Sequence, residues 1–491
     1  MITCVLRNHN FVNEVQVMTQ VFFPGEKFFF IYNEDYAPKP VSRTGRMACP
    51  LEAYENYVVE SEIKNGLAFA DVYKNGKKLA HSQREITSCA DFLNERRVLM
   101  LSLYHALQDA VGAYTPWGAL TGIRPSKLVR EWKRTESDSE ILARLENPFC
   151  VSEEKAKLAL TVANAESRVE KQICGTVGLY ISVPFCPSRC IYCSFNTSHK
   201  LASDDFLDSY VTALLAELHE KSKKINEETL SSIYIGGGTP TFLPENLLEK
   251  LLYAIRAEFP KKLEFTVEAG RPDTLTASKL KILRKYGVSR IAVNPQTLNN
   301  HTLKNICRNH TAEDFFKAFS LSREMEFSCI NTDLIAGLPG ETSCDMQRNM
   351  EALAKLQPEN VTIHTLALKR ASLLNEQRQN NYSQALSEWN FTHNKNISTV
   401  EKMLSVASEY CKDMKVFPYY LYRQKNMTGL FENIGYSKPG FECLYNVGMM
   451  AEVKTIFGVG AGAVSKFVDG GKITREFNVK NPEIFIKKIQ K

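Results

Sequence analysis

Three cysteines at C-x3-C-x2-C spacing, Cys186-Pro-Ser-Arg-Cys190-Ile-Tyr192-Cys193, fall within eight residues. They follow an apolar run, residues 179–183, that ends in Pro184-Phe185, so they sit on a loop leaving a strand. Three thiolates can hold three corners of a cubane iron–sulfur cluster, and thiolate is the ligand such clusters require. The fourth iron is then open to another ligand. A zinc site wants a fourth protein ligand nearby and favours paired C-x2-C knuckles. Here the flank supplies only His199, six residues past Cys193.

Other residues able to do chemistry follow at the ends of apolar runs. Gly236-Gly237-Gly238-Thr239-Pro240 ends one run, and Glu268, Gln296 and Asp333 end others. Taken singly, each has an ordinary structural reading. The triple glycine is a tight turn as readily as a backbone that a ligand approaches without meeting a Cβ. Glu268 or Asp333 alone reads as a helix N-cap, Arg308 as a surface charge and Ala367 as core.

The elements that must position these groups show a strand-then-helix pattern. Residues 179–183, 232–236, 264–268, 290–296, 329–335 and 361–366 read as strands. Helices are expected over 205–223, from 245, from 273, as two short pieces after 296, and over 344–356. Six such units predict parallel strands with sites gathered at their C-terminal ends. The fold class is therefore α/β: a partial (β/α)6 barrel with an α+β N-terminal extension and a small C-terminal module. We divide the chain into an N-terminal extension at 1–165, the barrel at 166–370, and a linker or lid with a C-terminal module at 371–491.

Within the extension, residues 15–23 and 57–63 alternate at period two and read as strands, with an Asn-Gly hairpin turn at Asn75-Gly76. From residue 90 to 169 the period turns helical. Between these helices lies Thr115-Pro-Trp-Gly-Ala-Leu-Thr-Gly122-Ile-Arg124-Pro125-Ser-Lys127-Leu, a structured loop whose Arg124 and Lys127 either meet an anion or belong to a capped turn. Residues 371–398 are polar and rich in Asn and Gln; a helix over 399–414 follows. A Gly-rich turn at 456–465 completes the C-terminal module.

Composition narrows the class. The 491 residues carry 24% charged side chains and a net charge of +6, too modest to argue for nucleic acid. Thirteen cysteines, an odd number at irregular spacing, do not make a secreted disulfide framework. No apolar run has membrane-spanning length, and Met1-Ile-Thr-Cys-Val-Leu-Arg7 lacks a signal-peptide pattern, so we expect a reducing cytoplasm.

With these motifs in place, residues 178–370 and part of the C-terminal module resemble the oxygen-independent coproporphyrinogen III oxidases, which are radical S-adenosylmethionine (SAM) enzymes. The whole chain, including Leu120-Thr-Gly-Ile-Arg-Pro125 and Tyr419-Tyr-Leu-Tyr-Arg-Gln-Lys-Asn426, looks like their HemZ-type coproporphyrinogen dehydrogenase branch. The resemblance implies a [4Fe-4S] cluster on Cys186, Cys190 and Cys193, with SAM on the open iron and cleaved to a 5′-deoxyadenosyl radical. It implies one SAM or two, bound by Tyr180, Tyr192, Gly237, Gly238, Thr239, Glu268, Gln296, Arg308, Asp333, Ala367 and Val464. The separations of 12, 25 and 34 residues from Gln296 through Arg308 and Asp333 to Ala367 match the family without a gap. The implied partners are coproporphyrinogen III as substrate and a reductant such as flavodoxin or ferredoxin.

A tetracarboxylate substrate calls for fixed cations, and Arg423, Lys425, Lys438, Arg124 and Lys127 are the candidates. Two positions depart from the family. Phe195 stands where the well-studied oxidases have a fourth cysteine, and related haem chaperones also have Phe there. Ser182 stands where histidine is common. The chaperones' His-Asn-x-x-Tyr motif is Tyr445-Asn446-Val-Gly-Met449 here, and Met449 and Met450 read as core. The alternatives to an oxidase are a haem-binding chaperone and a radical SAM haem-degrading methyltransferase.

Overall fold

The computed structural model describes residues 1–23, 26–32, 57–86, 94–112, 115–193, 203–225, 229–261, 263–367, 372–374, 393–424 and 431–490. Phe195, His199, Lys425 and most of the expected linker at 371–398 lie outside the described residues. The chain divides into two compact units, one of Met1–Ile123 with Trp132–Leu158 and one of Arg124–Glu131 with Ala159–Lys491.

The first unit begins β1 (Ile2–Arg7), α1 (Val12–Phe22), β2 (Phe28–Tyr32), β3 (Tyr57–Lys64), β4 (Leu67–Lys74) and β5 (Lys77–Glu85). Its sheet has the order β2-β1-β3-β4-β5, parallel between β1 and both its neighbours and antiparallel beyond. Both hairpins turn on Asn-Gly. Asn65-Gly66 and Asn75-Gly76 each take φ of 52° and 74°, the left-handed pair that matches strand twist. Helix α2 (Glu95–Val111) is capped by Asn94 and closed by Gly112, and Ser102 Oγ donates to Ala68 O of β4 at 3.0 Å.

Residues 15–23, expected as a strand, are helical. The valines satisfy both periods, but Val15, Met18, Thr19 and Phe22 are buried, an i, i+3, i+4, i+7 stripe. Helical packing overrides the β-branched preference here.

Helices α3 (Pro125–Trp132), α4 (Asp138–Glu146) and α5 (Glu153–Ile173) lead to the βα series. That series is β6 (Val177–Val183), α6 (Asp204–Ser222), β7 (Leu230–Gly237), α7 (Glu245–Glu258), β8 (Glu264–Val267), α8 (Ala277–Lys285), β9 (Arg290–Ala292), α9 (Asn300–Asn305), α10 (Ala312–Glu324), β10 (Cys329–Ala336), α11 (Ser343–Leu356) and β11 (Asn360–Thr365). All six strands run parallel. On β6, Leu179, Ile181 and Val183 are fully buried on one face while Tyr180 serves the other. Each such apolar side chain contributes about 1.5–3 kcal/mol by leaving water.

After α12 (His393–Asp413), the C-terminal segment forms β12 (Phe417–Tyr422), β13 (Asn433–Ser437), α13 (Leu444–Met450), β14 (Thr455–Val459), β15 (Val464–Asp469), β16 (Lys472–Phe477) and α14 (Pro482–Ile489). Its strands join the barrel sheet instead of forming their own. β13 and β12 add antiparallel beside β11, and β14 adds parallel beside β6, followed by β15 and β16. The result is one eleven-stranded sheet whose parallel centre is flanked on both sides by the end of the chain. Among the described residues no helix is long and apolar enough to cross a membrane.

The helical reading of α1 has a direct test at exposed Gln16. Gln16→Ala is expected to leave the urea midpoint of this unit unchanged or slightly raised, whereas Gln16→Pro is expected to cost about 3 kcal/mol. Equal midpoints for the two variants would contradict the helix.

Candidate functional site

The cysteine loop leaves the C-terminal end of β6 without a ladder of its own, so neighbouring segments hold it. Ile191 N donates to Ile306 O at 3.2 Å, and Ser188 Oγ donates to Cys307 O at 3.0 Å. Arg271 grips the same turn. Its Nη1 donates to Ser188 Oγ at 2.8 Å, while Asp273 fixes the guanidinium by two bonds of 3.0 and 2.8 Å. Arg271 Nη1 lies 4.0 Å from Cys190 Sγ and Arg308 Nη1 lies 3.9 Å from it. Arg308 is oriented by Gly270 O, at 3.1 Å, and by Asn294 O. Two buried guanidiniums thus face one sulfur.

The glycine turn after β7 locks onto this loop. Gly238 N donates to Val183 O at 2.9 Å and Thr239 N to Phe185 O at 2.7 Å. A Cβ on Gly238 would lie 2.5 Å from Phe185 O, so the glycine is required by the chain's own backbone as well as by any ligand. Thr239 Oγ1 then sits 3.4 Å from Cys186 Sγ.

Next to the cysteines is a polar floor made by strand ends. Glu268 Oε1 accepts from Tyr234 OH at 2.6 Å. Burial, then the nearby charge of Asp333, pushes the Glu268 carboxyl up to about 7, against the hydrogen bonds from Tyr234 and the Gly237 N–H. Asp333 behaves oppositely. Burial pushes it up, but His364, Asn331 and Thr362 outweigh burial and hold it below the ordinary carboxylate range. Asn294 Nδ2 and Asn331 Nδ2 donate to it at 2.8 and 2.7 Å, and His364 Nε2 lies 3.6 Å away. Gln296 takes φ of 69° and bridges to Leu334, a left-handed backbone seldom adopted by a side chain of this type.

Tyrosines build the opposite wall. Tyr234 and Tyr445 stack with ring centroids 4.3 Å apart, and Tyr180 lies 6.0 Å from Tyr445. Tyr420 and Tyr422, two residues apart on β12, stack beside each other at 6.4 Å. Ser182 Oγ donates to Ala461 O at 2.8 Å, holding the Gly-rich turn that brings Gly462 and Val464 to the site.

All of Tyr180, Cys186, Cys190, Tyr192, Cys193, Gly237, Gly238, Thr239, Glu268, Gln296, Arg308, Asp333, Ala367 and Val464 line a single cavity of about 590 Å³. Among the described residues, no three His, Cys, Asp or Glu side chains converge on one metal-ion position. The buried Arg308 Nε, facing this end without a hydrogen-bond partner in the described structure, is a sign that the lining fits an additional group.

Of the cations expected to meet substrate, the four that are described, Arg124, Lys127, Lys438 and Arg423, do not line the cavity. Arg124 Nη1 and Lys127 Nζ both lie 3.1 Å from the Glu452 carboxylate, and Lys438 bonds Gln357 O at 2.9 Å. Arg423 is buried beside Glu432, and burial lowers it to about 10. Strand alternation explains the miss, because Tyr422 and Gln424 take the cavity side and leave Arg423 on the other. Met449 and Met450 pack against the core as expected and also line the cavity together with Tyr445 and Asn446. Sequence reading missed Arg271, Asn294 and His364. Arg271 stands three residues after Glu268 at a strand end, which is the one signal it offered.

Residues 180–353 match the radical SAM superfamily. The chain is 36% identical over 445 residues to the oxygen-independent coproporphyrinogen-III oxidase-like protein HemZ of Bacillus subtilis, covering 88% of this chain and 85% of that protein. It is 37% identical over 193 residues to the heme chaperone HemW of the same organism, covering 39% of this chain and 50% of that one. Among solved structures, the coproporphyrinogen III oxidase HemN of Escherichia coli shares the fold, with a TM-score of 0.50 at 20% identity over 67% of this chain and 72% of that one.

A carboxyl near 7 gives the site a pH signature. If Glu268 must be ionised to meet the amino group of SAM, affinity falls as pH drops through about 7, by up to about tenfold per unit. Isothermal titration of the reconstituted protein between pH 6 and 8 reads this, and Glu268→Gln is expected to bind weakly and without the slope. A wild-type affinity that is flat over this range would remove Glu268 from that role.

Proposed function

The chain belongs to the radical SAM family of oxygen-independent coproporphyrinogen-III oxidase-like proteins, and from that premise we propose that it converts coproporphyrinogen III to protoporphyrinogen IX without oxygen. Two propionate side chains become vinyl groups in that reaction, each losing a β-hydrogen atom to the radical, CO2, and one electron to an external acceptor. We assign the cluster to Cys186, Cys190 and Cys193 and SAM binding to the polar floor and glycine turn. When bound, these groups supply the hydrogen-abstracting radical chemistry. A small reductant such as flavodoxin or ferredoxin and a cytoplasmic setting belong to the same reading.

The observation that supports it best is the composition of the cavity. One space holds the three thiols at one end and stacked tyrosines along a wall. The pyrrole rings of a porphyrinogen, joined by sp3 methylene bridges and so not coplanar, can pack singly against such rings. Ionic recognition in this space is sparse. Arg271 and Arg308 are committed to the cysteine loop, so among the described lining residues His364 is the cation-capable group left for a substrate carboxylate. Asp333 orients its ring from 3.6 Å.

A second reading, a haem carrier without turnover, is favoured by one specific feature. Tyr445, Met449 and Met450 reach the cavity, and phenol and thioether are both axial ligands for haem iron. Anaerobic assay of the reconstituted protein with reductant, SAM and coproporphyrinogen III separates the two. SAM-dependent CO2 release with protoporphyrin after oxidation supports the oxidase. No CO2, with tight haem binding by absorbance, supports the carrier.

His364→Gln is expected to raise KM for coproporphyrinogen III about tenfold, the loss of one hydrogen bond to a substrate carboxylate. The iron and sulfide content of the reconstituted protein should stay at the wild-type level. An unchanged KM would take His364 out of substrate binding.

A further inference from the structure

Helix α13 carries Tyr445, Asn446, Met449 and Met450 to the cavity, yet it is only seven residues long. So short a helix cannot hold its own direction, because most of its terminal N–H and C=O groups lack intrahelical partners. Its N-terminus is met by Glu264, which accepts from Leu444 N at 2.9 Å and Tyr445 N at 3.0 Å. Its C-terminus is met by cations. Lys466 Nζ donates to Gly448 O at 2.9 Å and Met449 O at 3.1 Å, and Arg130 Nη1 donates to Ala451 O at 3.4 Å. Positive charge belongs at this end of a helix dipole.

The residue that turns the chain out of this helix is Glu452. It takes φ of 56°, and its carboxylate is only 5% exposed. Oε1 lies 3.1 Å from Arg124 Nη1 and 2.7 Å from Arg475 Nη2; Oε2 lies 3.1 Å from Lys127 Nζ. Arg124 and Lys127 belong to the segment 124–131, which groups with the second unit although the residues on both sides of it group with the first. The anion that the Gly-Ile-Arg-Pro-Ser-Lys motif meets is thus supplied by the chain itself.

We propose that Glu452, clamped by Arg124, Lys127 and Arg475, is a positioning residue that sets the direction of α13 and so the tyrosine–methionine wall of the cavity. Removing the carboxylate would leave three cations facing one another beside the buried Lys466, a costly arrangement that movement of the helix end would relieve. What the wall binds rests on the functional reading above; that Glu452 positions the wall does not.

The test uses the full chain with reconstituted cluster. Glu452→Gln is read by the fluorescence Kd for coproporphyrin III, by SAM cleavage without substrate, and by the 13C-methyl resonances of Met449 and Met450. The expected result is a Kd about tenfold higher, shifted Met449 and Met450 methyls, and unchanged SAM cleavage. Arg124→Gln should weaken binding alone but add little in the Glu452→Gln background. Wild-type Kd and methyl positions in Glu452→Gln would overturn the proposal, as would full additivity with Arg124→Gln, which would put Arg124 on the ligand. Should Glu452→Gln not fold, Lys127→Met and Arg475→Met, at positions 39% and 40% exposed, carry the same readouts. Shifted methyls in a protein whose wild type binds no coproporphyrin III would defeat the functional reading and leave the positioning role standing.

Discussion

The pairing of Cys190 with two buried guanidiniums is the interaction on which the site depends. The cysteine loop has no strand ladder or helix to hold it, and a cluster bound there would bring three thiolate charges together in a medium of low dielectric. Arg271 and Arg308 answer both problems, since each bonds protein oxygens and faces the Cys190 sulfur. Asp273 orients Arg271, and the carbonyls of Gly270 and Asn294 orient Arg308. The loop is therefore placed by the ends of β8 and β9, the strands that also deliver the polar floor.

A second constraint is enclosure. Six parallel strands alone make an open trough, and radical chemistry needs a covered one. Here the last third of the chain completes the sheet on both edges. β12 and β13 bring Tyr420 and Tyr422 from one side, while β14, β15 and the turn between them bring Gly462 and Val464 from the other. Helix α13 adds Tyr445, Met449 and Met450 between these edges. A cavity built this way draws its polar floor from the barrel, while its tyrosine wall combines Tyr180 and Tyr234 of the barrel with Tyr420, Tyr422 and Tyr445 of the C-terminal segment.

Much of this was legible in the residues. The C-x3-C-x2-C loop, the glycine turn and the polar groups at strand ends all come to one cavity, because parallel strands aim their C-terminal ends at the same space. What could not be read were partners far apart in sequence. Arg124 and Lys127 look like anion binders until Glu452, more than three hundred residues away, supplies the anion. Arg423 looked available, but alternation along β12 turns it inward. His364 lay hidden in an apolar run because a strand read as buried offers no hint of which face meets a cavity. The helix α1 was misread for a related reason, since its valines fit two periods and only tertiary packing chooses between them.

We propose that Cys186, Cys190 and Cys193 would hold a cluster whose fourth iron is left open to SAM. The direct measurement is electron–nuclear double resonance on the reduced, reconstituted protein with SAM labelled with 15N at its amino group. The account predicts a [4Fe-4S] signal that changes on adding SAM and shows 15N hyperfine coupling, with neither effect in Cys190→Ala. A cluster signal unaltered by SAM, with no coupling to the label, would contradict it.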